Sequence, residues 1–217
     1  MKKVLSIIIL FAVVFALPVA QAADRKSEKK VKKEMKRKAF KDARKEARRF
    51  RKDGWYVAPG ALPMDKQVEK SWERQYEEDD KGYPLYLIAT GNSVAETQSA
   101  AKLQAMELAK LELAGVVETN IIALIENSVA NNQLSREDAA SVTKTVAASK
   151  NIIAQEIGRV ITFFEIYREI GDKNIESSVR IGYNSEMAHE MAKKAIKQQL
   201  EDKTEELHEK LDKILDF

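Results

Sequence analysis

Apolar and polar positions follow different periods in different parts of this chain, and each change of period marks an element. Val4 to Ala16 is an apolar run broken only by Ser6. From Arg25 to Lys52 there is no Gly or Pro, and Val31, Met35, Ala39, Ala43, Ala47 and Phe50 recur in steps of four, closing on a step of three. That spacing predicts a helix with one narrow apolar face, stopped at Asp53-Gly54. Trp55 to Pro63 is a short apolar connector. Asp65 to Glu77 predicts a modest helix carrying Val68 and Trp72, and an acidic turn follows to Gly82. Tyr83 to Thr90 is nearly continuous in apolar residues and predicts a strand, turned at Gly91-Asn92.

Ser93 to Glu96 has the Ser-x-x-Glu pattern of a capping box and predicts a helix from Val94 to about Ala130. Its apolar face is Ala101, Ala105, Ala109, Leu113, Val117, Ile121 and Ile125, with Gly115 as a candidate bend. A loop at Asn131 to Leu134 leads to a second cap at Ser135 and a polar, Ala-rich helix towards Ile157. The period then changes. Gly158 to Ile170 is β-branched and aromatic, and Gly171 to Asn174 is turn chemistry. Ile175, Ser177, Val179, Ile181 and Tyr183 alternate with Glu176, Ser178, Arg180 and Gly182, which predicts a β-hairpin with one wet face. Asn184 or Ser185 starts a last helix, followed by a charged tail.

These elements predict an α+β fold: a small antiparallel sheet, a strand plus a hairpin, packed against long Ala-rich helices, with a basic N-terminal helical arm. The divisions are 1–22, a signal peptide; 23–54, the basic arm; 55–200, the α+β domain; and 201–217, a charged helical tail. The signal assignment rests on Lys2-Lys3, the apolar run and the small-x-small ending Ala20-Gln21-Ala22. The run is shorter than the ~20 residues that span a bilayer. An exported protein, periplasmic or associated with the outer membrane, is the expectation. The chain has no cysteine, so disulfides, thiolate metal sites and a lipidated cysteine at the cleavage point are excluded.

Charge is unevenly divided. Asp24 to Asp53 holds sixteen Lys and Arg against six Asp and Glu; from Gly54 onward the count is nineteen against twenty-eight. A basic arm is joined to an acidic domain. Lys29, Lys30, Lys33, Lys36, Arg37, Lys41, Arg44, Lys45, Arg48 and Arg49 are the candidate residues for binding an anionic surface such as lipid headgroups or lipopolysaccharide. The competing reading is a solvated helix docked on the acidic domain. Nucleic acid is not an expected partner for an exported chain.

Tyr86 to Ser93, followed by a helix with Ala95, Ala101, Ala105 and Ala109, resembles the LPP-twenty lipoprotein family, and is similar to the N-terminal domain of the flagellar assembly protein FlgT. The resemblance covers Tyr83 to Met191, and it implies an envelope protein with a binding or assembly role. It brings no catalytic residues. The lipidated Cys of the lipoprotein members is absent here.

Candidate chemistry is sparse. The two histidines, His189 and His208, sit among Glu residues on charged helix and do not form a zinc-protease pair. No Gly-x-Ser-x-Gly elbow and no Gly-rich phosphate loop occur. Gly91-Asn92-Ser93 is a candidate anion-binding helix start, read first as a plain turn and cap. Glu77 to Asp80 lacks the ligand pattern of a calcium loop. The expectation is a non-enzymatic scaffold or interaction module, without cofactor or metal, whose partner is an anionic envelope surface or an envelope protein. The alternatives are a periplasmic hydrolase using a carboxylate pair, and a self-assembling structural protein or homo-oligomer joined through the arm or tail.

Overall fold

The computed structural model describes residues 33–34, 37–38, 40–80, 82–171, 173–200, 209 and 212. The proposed signal peptide and most of the charged tail, His208 included, lie outside the described residues. The fold is α+β. Its elements are helix α1 (40–52), α2 (Met64–Gln75), β1 (Tyr86–Ala95), α3 (Gln98–Ala130), α4 (Arg136–Glu156), β2 (Ile161–Ile170), β3 (Asn174–Asn184) and α5 (Ser185–Gln199). Among the described residues no helix is long and apolar enough to cross a membrane.

The three strands form one antiparallel sheet in the order β1-β3-β2. The β2–β3 hairpin follows from the turn residues around Gly171, whose φ of 62° is cheap only for glycine. β1 runs beside β3 with Tyr86 opposite Asn184 and Ala95 opposite Ile175. Strand alternation then sorts side chains into two layers. Leu87 and Ala89 of β1, with Val179, Ile181 and Tyr183 of β3, pack under α3 and join the main core with α4 and α5. On the other face Phe164 and Ile166 of β2 pack with Ala43, Ala47 and Phe50 of α1 and with Val68 and Trp72 of α2.

Close approach explains the alanine stripe of α3. A Cβ on Gly91 would lie 2.0 Å from the Ala105 carbonyl oxygen and 2.5 Å from the Ala109 nitrogen, so helix backbone rests directly on strand backbone. Ala101, Ala105 and Ala109 are fully buried there. On the opposite face a bulge between Thr162 and Phe164 sets the Phe163 ring over Gly182, where a Cβ would stand 2.3 Å from the ring.

Several expectations are corrected. β1 runs to Ala95, through Gly91-Asn92-Ser93, because Asn92 and Ser93 stay in register opposite Ser178 and Ser177. The predicted turn, the Ser93 capping box and the candidate anion site at a helix start are therefore absent. The cap is Thr97, whose Oγ1 accepts from the Ala100 N–H at 3.2 Å. The helix continues unbroken through Gly115. The second hairpin face is not wet: Ser178 is buried and Arg180 is largely covered, because α1 and α2 lie over the sheet. The loop and cap at Ser135 occur as predicted, with Ser135 accepting from the Asp138 N–H, and of the two starts expected for the last helix Asn184 is the cap, accepting from the Met187 N–H.

A candidate anionic-surface site on the first helix

α1 is built to be held on one side and open on the other. A turn of 100° per residue places Ala43, Ala47 and Phe50 on the sheet side. Glu46 falls on that same side. Its Oε1 accepts from Arg180 Nη2 at 3.3 Å, and its Oε2 accepts from the Trp72 indole N–H. Arg180 also donates from Nη1 to Ser71 Oγ at 3.2 Å and from Nε to Thr90 Oγ1 at 3.1 Å, with its guanidinium 4.4 Å over the Phe164 ring. One guanidinium thus ties α1, α2, β1 and β2 together. Burial pulls the Arg180 pKa down, and the Glu46 carboxylate opposes that shift.

A second row of contacts fixes the rotation of α1 against α2. Arg44 Nε donates to Glu69 Oε1 at 2.9 Å, and Arg51 Nη2 donates to Asp65 Oδ1 at 2.8 Å. Glu69 also receives Lys66 Nζ at 2.8 Å. The Lys66 bond, with Arg44 helping, holds the Glu69 carboxyl below its ordinary value despite the opposing cost of burial. Arg44 and Arg51 are mostly in solvent, so these pairs set geometry more than stability.

The remaining cations of α1 point away. Lys41, Lys45, Arg48, Arg49 and Lys52 are exposed, and among the described residues no ion pair engages them. Of the ten residues predicted to bind an anionic surface, Lys41, Lys45, Arg48 and Arg49 form this ridge, whereas Arg44 is turned to Glu69. Lys33 and Arg37 are helical and exposed; Lys29, Lys30 and Lys36 lie outside the described residues. The residues missed from the sequence are Glu46, Ser71, Trp72 and Arg180. Glu46 had a signal: it sits three residues after Ala43 and four before Phe50, in the apolar stripe.

Other polar groups are engaged structurally. Tyr167 donates its hydroxyl to Glu165, and Glu165 pairs with Lys102 at 2.7 Å. Burial, then that bond, pushes the Tyr167 phenol up. The carboxyls whose pKa is displaced, Glu69 and Asp212, both move down, Asp212 through bonds from Lys197 and Lys193 on α5. His189, expected to be solvated, is half-buried on α5, and burial lowers its pKa. Among the described residues no group of three or more His, Asp or Glu is gathered as a metal site. Comparison with known proteins finds no matching family model, curated protein or solved structure.

Proposed function

We propose that this protein is an exported, non-enzymatic interaction module of the cell envelope, and that the solvent-facing ridge of α1 holds it against an anionic surface. The observation that carries this reading is the division of α1 into a docked face and an exposed basic ridge of Lys41, Lys45, Arg48, Arg49 and Lys52 that no ion pair engages among the described residues. The signal-peptide pattern and the resemblance to LPP-twenty and FlgT N-terminal domains support the envelope setting.

The mode of contact follows from where the apolar stripe went. Ala43 and Ala47 are fully buried against the sheet and are not available to enter a bilayer. A membrane-surface helix that inserts needs its apolar face free. This helix therefore binds through charge alone, at the level of phosphate groups. Each cation near an anionic leaflet contributes about 1 kcal/mol, screened beyond ~10 Å in ~0.1 M salt.

Sedimentation with vesicles tests the proposal. The full chain, processed as its host exports it, is spun with phosphatidylglycerol-containing and with purely zwitterionic vesicles, in low and high salt. Binding is expected only to the anionic vesicles, and salt releases it. Replacing the five ridge cations by Gln lowers the affinity about a hundredfold or more, because about 1 kcal/mol is lost at each position. Binding that ignores salt, or survives the five replacements, overturns the proposal.

A further inference from the structure

The two edges of the sheet are treated differently. The outer edge of β2 is covered. Tyr56 and Tyr167 exchange backbone bonds at 2.7 and 2.9 Å, and Gln67 Oε1 accepts from the Glu165 N–H at 2.8 Å. β1 pairs with β3 on one side only, and among the described residues its other edge has no backbone partner. Alternate residues of an edge strand aim N–H and C=O outward, ready to extend the ladder. Natural edges are usually guarded by charge, proline or a bulge. Tyr86–Ala95 has none of these: it is ten residues in unbroken register with β3 and carries no charged side chain.

We propose that β1 pairs antiparallel with β1 of a second copy of this chain, making one six-stranded sheet across a two-fold axis near Gly91. An isologous contact sets each residue of a patch near its own copy, so a charge close to the axis meets a like charge. β1 avoids that, whereas β2 carries Glu165, Arg168 and Glu169. The surroundings of β1 fit the same occupant. α3 crosses β1 at Gly91 with Ala105 and Ala109. Lys102 leans from α3 towards β2, reaching Glu165, and Gln104 leans the other way, meeting Ser93 Oγ at 2.7 Å. Leu108 and Leu111, four and seven residues on from Gln104, share that outer flank. They are 46% and 37% exposed, apolar side chains beside an open edge. With the axis near Gly91, Leu108 meets its own copy above the joined strands.

The chain lacks cysteine, which makes the test direct. The full chain, processed as the host exports it, is followed by sedimentation equilibrium across a concentration series. The mass is expected to double, and Leu108→Lys to raise the dissociation constant about tenfold or more, as expected for two like charges at the axis. Leu108→Cys is expected to form an intermolecular disulfide readily on mild oxidation, since bridged Cβ atoms need only approach to about 4 Å. Leu103→Cys, at a position 67% exposed but on the side of α3 away from the sheet, is the control and cross-links slowly. A monomer up to about 0.1 mM, where even weak pairs associate, overturns the proposal. So does a dimer that tolerates Leu108→Lys and cross-links equally through Leu103→Cys, which would place the contact elsewhere.

Discussion

Replacing Glu46 by Ala separates a helix that belongs to the domain from one that merely lies on it. Ala is the best helix former, so the substitution leaves the local propensity of α1 intact. It removes the carboxylate that balances Arg180 and accepts the Trp72 N–H. Breaking a buried ion pair costs about 3–5 kcal/mol, because one charge stays behind uncompensated. Here the Arg180 and Glu46 side chains are 19% and 22% exposed, and Arg180 retains its bonds to Ser71 and Thr90, so solvent relieves part of that penalty. The loss expected is about 2–4 kcal/mol, including about 1 kcal/mol for the unpaired indole. Urea unfolding followed by Trp fluorescence reads it, since Trp55 and Trp72 both pack beside α1. The pair Glu46→Leu with Arg180→Met removes both charges and is expected to recover at least half of the loss. A Glu46→Ala cost under about 0.5 kcal/mol, within the range of an ordinary surface change, would refute the argument that this pair holds α1.

Gly91→Ala is expected to cost about 3 kcal/mol or more in the same unfolding assay, because relieving a 2.0 Å contact to 3.4 Å moves α3 about 1.4 Å off the sheet; a neutral result would contradict the strand–helix contact. His189 predicts a pH dependence. Its folded pKa lies below the ordinary 6.5, so the unfolded chain takes up the proton first. Stability is full above about 6.5 and falls as pH drops through that value towards the folded pKa. His189→Gln is expected to flatten the slope in this window; an unchanged slope would assign it to other groups.

Much of the fold was legible because it is written in period. The alternation from Ile175 to Tyr183, the four-residue spacing from Ala101 to Ile125, and the caps at Ser135 and Asn184 all report local geometry, which a single sequence carries. The errors share a physical cause: contacts from distant parts of the chain. Gly91-Asn92-Ser93 has turn and cap chemistry, yet pairing with Val179, Ser178 and Ser177 keeps it extended. Ser178 and Arg180 look like a solvated strand face until α1 and α2 cover it, and Gly182 lies under the Phe163 ring. The basic ridge was legible as composition, but its orientation was not. Nothing in the spacing of lysines says which of them α2 will claim, and Arg44 and Arg51 are taken by Glu69 and Asp65. Arg180 and Glu46 are 134 residues apart, and each alone reads as a surface charge.

Packed on the sheet, α1 is a structural layer that presents its basic ridge rigidly. Native-state amide hydrogen exchange measures this without any variant. Residues 43–50 are expected to be protected with an opening free energy close to that of Phe164 and Ile166 on β2, because they share one core and open together. Exchange of residues 43–50 near the rate of an unstructured chain, while β2 stays protected, would contradict it and return the basic segment to the status of a loose arm.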